Sequence, residues 1–313
     1  MPYRILALDG GGSRALIPVS LLQRMQESRA DLLPSVDLFA GTSTSAITAL
    51  ILADSDHPGD SLDMARLLWV QGKKLFSENT LRTMSAAMGA SAYFDNDALS
   101  AALEKIFGKR KIGDLKRKVV IPSVTLGDKR GPAEGRRWRP LLIQNFDNTF
   151  SEMSLVEAGL RATATPILFP VRNNHIDGAL LANNPALCAI SQAIESAKVC
   201  LDGLVVLSVG AGENPIGIKA GNADWGYADW LFDYELPLGL MQAVAETNGS
   251  LTDYQCQQLL KAERYYRLNP LLSKVWLMHE HSARFVVEAG DVADSVEIKP
   301  VVDWFNKSGW FAK

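Results

Sequence analysis

The N-terminal segment most strongly constrains the fold, because a strand, a glycine-rich loop and a helix follow one another there without a break. Residues 3–8 are mainly apolar and predict a buried strand. The loop DGGGSR, Asp9 to Arg14, comes next, and the apolar residues between Leu16 and Met25 then recur at helical spacing. A strand that passes through a short loop into a helix is the repeating unit of parallel sheets, so we expect an α/β fold.

The rest of the chain continues this alternation of strands and helices. Apolar runs predict further strands at 36–40, 118–126, 140–146, around His175 and at 201–210. Helical spacing predicts helices at 44–53, 62–76, 96–107, 155–162 and 185–197, and a mostly helical region from Trp225 onward. The pattern predicts a mainly parallel sheet with helices on both faces.

Length and composition favour one domain. The 313 residues are 47% hydrophobic, enough for a sizeable core, and no linker, repeat or low-complexity run divides them. We expect a single domain over 1–313, with the motifs in a core at about 4–212 and a helical lid or regulatory part at about 213–313. A net charge of −3 argues against a nucleic-acid polymer as partner, although the basic stretch 129–139 is a candidate anion site.

The sequence also predicts where the protein is found. Its three cysteines, Cys188, Cys200 and Cys256, are an odd number at wide spacing, which favours buried free thiols over disulfides or metal ligands. The apolar run before Asp9 is too short for the core of a secretory signal. The longest uncharged stretch, 38–53, is shorter than the ~20 apolar residues of a membrane span. We therefore expect a cytoplasmic protein.

The glycine loop is a candidate anion site. Gly10, Gly11 and Gly12 allow successive amide N–H groups to converge, and the following helix adds partial positive charge at its N-terminus. Such a loop stabilises either a phosphate or a transient oxyanion. A dinucleotide is disfavoured because Asp9 would repel a pyrophosphate. An actin-like nucleotide-dependent sugar kinase or ATPase, which uses DGGG as a phosphate loop, remains the alternative, although such folds continue into a hairpin strand rather than a helix.

Ser43 is the candidate nucleophile. It lies in FAGTSTSA, where GTSTS matches the nucleophile-elbow pattern G-x-S-x-G in four of five positions and Ser45 replaces the last glycine. That glycine allows strand and helix to approach closely, and serine is the next smallest residue available. The alternative interpretation is that Ser43 only caps the helix that follows.

A serine hydroxyl needs a general base. An α/β-hydrolase order of Ser43, Asp177 and then His279 or His281 is formally present, but only 42 residues precede Ser43, which is short for that fold. We expect the two histidines to be polar surface residues. Asp177, in HIDGALLANNP, is the remaining candidate, and the alternative is an ordinary Asp-Gly turn.

Taken in order, the motifs resemble a known family. DGGGSR, GTSTS, RATATP (161–166), DGA (177–179) followed by NNP, and LSVGAG (207–212) occur in the sequence of a patatin-like phospholipase. The resemblance implies a three-layer α/β/α sandwich with a mainly parallel central sheet. It makes Ser43 the nucleophile, Asp177 its base and Gly10 to Gly12 the oxyanion loop, with Arg14 beside it. It implies no metal and no cofactor.

The resemblance also implies a function. The expected activity is that of a serine lipid acyl hydrolase of the phospholipase A type, which contacts membranes peripherally and cleaves phospholipid acyl esters at their surface. Compact bacterial members resemble effector phospholipases of antiphage defence, so a cyclic di- or trinucleotide is a candidate activator and a homo-oligomer a candidate assembly. The aromatic segment 220–237, with Trp225, Tyr227, Trp230, Phe232 and Tyr234, predicts core or lid packing, or else a surface for lipid or a nucleobase.

Overall fold

The computed structural model describes residues 1–76, 80–128, 137–217, 224–233 and 238–312. Within these ranges seven strands form one sheet: β1 (Tyr3–Leu8), β2 (Leu38–Gly41), β3 (Lys118–Thr125), β4 (Arg139–Gln144), β5 (His175–Asp177), β6 (Leu204–Val209) and β7 (Tyr265–Leu268). All strands expected from the sequence are present, the one expected at 201–210 in shorter form.

The helices of the described residues mostly follow the expected positions. They are α1 (Leu16–Ser28), α2 (Thr44–Ala53), α3 (Pro58–Val70), α4 (Gly72–Leu75), α5 (Thr80–Ala87), α6 (Asp97–Phe107), α7 (Leu155–Ala162), α8 (Ala179–Ala182), α9 (Ala186–Ser196), α10 (Tyr227–Phe232), α11 (Gly239–Arg264), α12 (Ala283–Ser295) and α13 (Lys299–Lys307). The single helix expected at 62–76 is in fact two, α3 and α4, since the backbone leaves the helical region at Gln71.

The sheet is mainly parallel, as expected. Its order is β4-β3-β2-β1-β6-β7, and neighbouring strands from β3 to β7 along this order run parallel. The strands β4 and β5 are each antiparallel to β3. Mixed sheets with an antiparallel edge are common among α/β folds.

Helices cover both faces of the sheet, which confirms the three-layer α/β/α sandwich. Alternate residues of a strand point to opposite faces. Along β1, Leu6 and Leu8 belong to the core that includes residues of α1, α2 and α12, whereas Ile5 and Ala7 belong to a second core with residues of α9 and α11.

The described part of the C-terminal region is built into this architecture. The strand β7, which the sequence analysis missed, extends the sheet beside β6. It is only four residues long and follows α11 directly, so no turn residue in the sequence marks where it begins. Trp304, Phe305 and Trp310 are buried in the same core as Leu6.

Part of the aromatic segment 220–237 can be described. Trp225 and Trp230 pack edge to face, with ring centroids 5.0 Å apart. Tyr234 and the basic residues 129–136 lie outside the described residues, as do the side chains of Tyr227 and Phe232. The structure therefore leaves the expected lipid or nucleobase surface there as a prediction.

The described residues show the character of the helices and the state of the cysteines. Among the described residues no helix combines the length and apolar character needed to cross a bilayer, and no cluster of side chains suits a metal ion. The three cysteines are free thiols. The expectation that all are buried is wrong, because Cys200, next to a short turn before β6, is exposed.

Candidate active site

Ser43 lies in a sharp turn between β2, which ends at Gly41, and α2, which begins at Thr44. Its backbone has φ of 55° and ψ of −130°, a conformation that is unfavourable for a residue with a Cβ. A Cβ on Gly41 would lie 2.2 Å from the carbonyl oxygen of Ser45, so only glycine fits there. Ser45 itself is fully buried, so a serine fits where the elbow pattern has its last glycine.

The Ser43 hydroxyl donates a hydrogen bond to Asp177. Its Oγ lies 2.6 Å from Oδ2 of the carboxylate, and both side chains are buried. Although Ser43 immediately precedes α2, its side chain makes no capping hydrogen bond to that helix. The Ser43 side chain is therefore not a helix cap, and the Asp177 carboxylate contacts Ser43 in addition to its place in an Asp-Gly turn.

The sheet brings these two residues together across 134 positions of sequence. The strands β2 and β5 both pair with β3 on the edge opposite β4, but they run in opposite directions. Ala40 of β2 pairs with Val120, and Asp177 of β5 pairs with Ser123. The C-terminal ends of β2 and β5 thus point towards each other along one edge of β3.

Asp177 is held by two further donors. Thr165 Oγ1 donates to Oδ2 at 2.7 Å, and the backbone N–H of Ala179 donates to Oδ1 at 2.8 Å. Burial raises the pKa of Asp177, while the hydrogen bonds from Ser43 and Thr165 oppose that rise by stabilising the carboxylate. Sequence reasoning missed Thr165, although it lies in RATATP, because a threonine in a helix-to-strand connection carries no distinctive local signal.

Two of the three loop glycines lie at the same cavity as Ser43. Gly11 and Gly12 line a cavity with Ser43, and no described residue accepts a hydrogen bond from either backbone N–H. The N–H of Gly10 instead donates to the Asn183 carbonyl at 3.0 Å and is not available to a substrate. Thr44 Oγ1 donates to the Gly12 carbonyl at 2.8 Å and fixes the loop against the start of α2.

Arg14, which the resemblance places beside the oxyanion loop, is not among the residues that line the cavity at Ser43. Its guanidinium is buried, where Nη1 donates to the Gly212 carbonyl at 3.0 Å and Nη2 pairs with Glu246 at 3.2 Å. The side chain therefore ties the glycine loop to the segment after β6 and to α11. The sequence could not show this, because Glu246 lies 232 positions away.

Asp9, the first residue of the loop, is also bound by a residue that is far away in the sequence. Arg267 on β7 donates two parallel hydrogen bonds to its carboxylate, at 2.8 Å and 2.5 Å, and a third to Ser208 Oγ at 2.9 Å. Both residues of this ion pair are largely buried. Both Asp9 oxygens are thus occupied by a protein group.

The cavity above Ser43 is small and mostly apolar. It has a volume of about 30 Å³, whereas ligand pockets are typically ~300 Å³ or more. Besides Ser43, Asp177 and the two glycines, its wall includes aliphatic, aromatic and thioether side chains, namely Trp69, Phe76, Leu99, Leu168, Phe169 and Met278. A lining of this kind suits an acyl chain.

The two C-terminal histidines lie beside this cavity, contrary to the expectation that they are surface residues. His279 lines the cavity and is tilted against the Phe94 ring, and His281 stacks on Phe76. Both are half-buried because the segment that carries them packs across the glycine loop. The side chain hydrogen-bonded to Ser43 is nevertheless that of Asp177 and not of either histidine.

The chain is similar in sequence to a family of known proteins. The sequence model of the patatin-like phospholipase family matches residues 6–190, more than half of the chain. CotR of Bacillus subtilis strain 168 is 25% identical over 99% of both chains. A Pseudomonas aeruginosa protein named cGAMP-activated phospholipase is 27% identical, over 85% of this chain and 78% of its own. Among solved structures, VipD of Legionella pneumophila covers 94% of this chain and 66% of its own, with 13% identity and a TM-score of 0.43.

The chain belongs to the patatin-like phospholipase family, a class of lipid acyl hydrolases. The resemblance drawn from the order of its motifs is thereby confirmed. The alternative of an actin-like kinase or ATPase is wrong. The glycine loop leads into a helical turn and α1 rather than a hairpin strand, and Asp9 is bound to Arg267.

Proposed function

We propose that the protein hydrolyses acyl esters of membrane phospholipids with Ser43 as nucleophile and Asp177 as general base. The observation that carries the proposal is the 2.6 Å hydrogen bond between the two side chains, inside an apolar cavity that two unpaired glycine amides also line. A buried acid bonded to a hydroxyl on a strained turn is the arrangement expected of an activated nucleophile.

In the proposed reaction Asp177 accepts the hydroxyl proton as Ser43 Oγ attacks the ester carbonyl carbon. The N–H groups of Gly11 and Gly12 donate to the oxyanion of the tetrahedral intermediate. The intermediate collapses to an acyl-enzyme, and the leaving lysophospholipid oxygen takes the proton from Asp177. Asp177 then accepts a proton from water as the water attacks the acyl carbon, and it passes this proton to Ser43 Oγ as the fatty acid is released.

Covalent labelling and hydrolysis test this proposal together. A fluorophosphonate probe should label the wild type, and phospholipid vesicles and a soluble short-chain ester should both be hydrolysed. Ser43→Ala should abolish labelling and hydrolysis, and Asp177→Asn should reduce both by roughly 10³-fold or more. Ser45→Ala, which changes another buried hydroxyl of the same motif, is the control and should keep both. Hydrolysis or labelling that survives in Ser43→Ala would exclude Ser43 as the nucleophile.

We also propose that a cyclic di- or trinucleotide activates the enzyme in cytoplasmic antiphage defence. The support is the relative from Pseudomonas aeruginosa whose name states activation by cGAMP, together with the narrow cavity above Ser43. A nucleotide that binds the folded state should raise the unfolding temperature and increase vesicle hydrolysis. If no cyclic di- or trinucleotide of a panel changes either quantity, this second proposal is wrong while the Ser43 chemistry is unaffected.

A further inference from the structure

Three phenylalanines at the wall of the nucleophile cavity flank a helix in the sequence. Phe76 and Phe169 line the cavity, and Phe94 packs against both, with ring centroids 5.8 Å from Phe76 and 5.5 Å from Phe169. The backbone N–H of Phe94 also donates to the Leu168 carbonyl at 2.8 Å. Phe76 and Phe94 are thus packed together at the cavity wall although 18 positions of sequence separate them. Between these two residues lies α5.

The outer face of α5 is apolar and exposed. Leu81, Met84 and Met88 have exposed fractions of 79%, 59% and 77%. With 100° of rotation per residue these three side chains fall within an arc of about 60°, on one side of the helix. Ala86, on the opposite side, is buried. Three large apolar side chains exposed together mark an interaction surface rather than chance exposure.

Basic residues precede this face in the sequence. Lys73 and Lys74, on the short helix α4 that leads to Phe76, are both exposed. Within the described ranges neither ammonium group pairs with a carboxylate. Exposed cations followed within ten residues by an exposed apolar helix face have the chemistry of a segment that lies in the interface of an anionic bilayer.

We propose that the α5 face, defined by Leu81, Met84 and Met88, inserts into the surface of an anionic phospholipid bilayer, with Lys73 and Lys74 contacting its headgroups. The inference rests on the proposed function, because it names the surface that brings the Ser43 cavity to its substrate. Insertion of α5 holds the Phe76–Phe94–Phe169 cluster at the membrane. An acyl chain can then enter the cavity through its apolar wall.

Vesicle binding by catalytically silent protein tests this surface separately from the chemistry. Two proteins are compared: the Ser43→Ala variant, and the same variant that also carries Met84→Gln and Met88→Gln. Each is sedimented with phosphatidylglycerol vesicles and, separately, with phosphatidylcholine vesicles. Burial of two methionine side chains in lipid strengthens binding by roughly 10-fold or more, so the double variant should bind that much more weakly. Leu251→Gln/Leu259→Gln on α11, which changes two exposed leucines elsewhere, is the matched control and should bind normally.

A second pair of variants tests the contribution of the lysines to vesicle binding. Lys73→Glu/Lys74→Glu should weaken binding to phosphatidylglycerol vesicles by roughly 5-fold per lysine or more and leave binding to phosphatidylcholine vesicles nearly unchanged. Lys105→Glu/Lys109→Glu, exposed on or just after α6, is the control of equal charge change. With Ser43 restored, the α5 variant should hydrolyse a soluble short-chain ester at the wild-type rate but vesicles more slowly.

Two results would overturn the proposal. The first is that the Met84→Gln/Met88→Gln variant binds vesicles as well as the Ser43→Ala protein from which it is made. The same conclusion follows if neither protein binds. The other is a change in oligomeric state with no change in vesicle binding, which would assign the face to a second copy of the chain. If the wild-type protein does not hydrolyse the soluble ester, that result would instead contradict the Ser43 chemistry. The vesicle-binding result would be unaffected.

Discussion

The carbonyl oxygen of Met278 lies against Gly12, so close that a Cβ on that glycine would come within 1.9 Å of it. The same carbonyl accepts hydrogen bonds from Ser13, from N at 2.8 Å and from Oγ at 3.1 Å. A segment near the C-terminal end of the chain thus fixes the loop that we propose as the oxyanion site. The geometry of that loop depends on residues far outside the glycine motif.

Gly12→Ala should therefore inactivate the enzyme. Gly12 has φ of 59°, and the added methyl group must displace either the loop or the Met278 backbone. Loss of one oxyanion donor typically costs ~10² to 10³ in rate. Gly108→Ala is the matched control, since Gly108 has φ of 56° and open space around it. It should lose ~1 kcal/mol of stability but keep its rate on a soluble ester. Equal rates in the two variants would argue against a role for the loop.

Thr165→Val should move the acidic limb of the pH–rate profile to higher pH. Asp177 must be ionised to act as base, and burial already raises its pKa above the usual range. Removing the Thr165 hydroxyl removes a hydrogen bond that stabilises the carboxylate, so the pKa of Asp177 rises further. The measurement is kcat/KM against pH for a soluble ester. An unshifted limb would show that the bond does not tune the base.

Asp177→Asn should retain its stability at neutral pH. Because folding raises the pKa of Asp177, its ionised form opposes folding, and the native state gains stability as pH falls through that pKa. Asparagine removes the buried charge and with it this pH dependence. Thermal unfolding of wild type and variant between pH 4 and 8 checks the sign. A variant much less stable than wild type at pH 7 would mean that the carboxylate is needed for the fold.

Arg267→Met should destabilise the protein by about 3–5 kcal/mol, because it leaves the Asp9 carboxylate buried without its partner. Arg284→Met, which breaks an exposed pair with Glu288, should cost at most about 1 kcal/mol. Denaturant unfolding of both variants provides the comparison. A small effect for Arg267→Met would show that Asp9 takes up a proton or reaches water at little cost.

Arg14→Met should affect phospholipid and neutral short-chain esters alike, because Arg14 is bound to Gly212 and Glu246 rather than free for a headgroup. Burial raises the pKa of Glu246 and Arg14 opposes that rise, so the variant should lose more stability as pH increases and Glu246 must ionise. The ratio of kcat/KM for the two substrates checks the expectation for activity. Denaturant unfolding at pH 5 and at pH 8 checks the expectation for stability. A selective loss on phospholipid would restore Arg14 as a headgroup ligand.

Much of the fold could be predicted from local patterns. The strand-loop-helix unit at the N-terminus, the helix from Thr44 and the central strand β3 all follow from apolar spacing over short windows. The elbow at Ser43 was predictable for the same reason, since small residues between a strand and a helix act within one turn. Asp177 was identified through the order of motifs, not through any local feature that pointed to Ser43.

The tertiary structure decided which of these groups meet and which are already bound. Ser43 and Asp177 come together because β5 lies antiparallel to β3 beside the end of β2, and the partners of Asp9 and Arg14 come from β7 and α11. Local sequence sets backbone preference and the chemistry of each side chain. Strand order and register set the distances between residues far apart in the chain, and a hydrogen bond or ion pair depends on those distances.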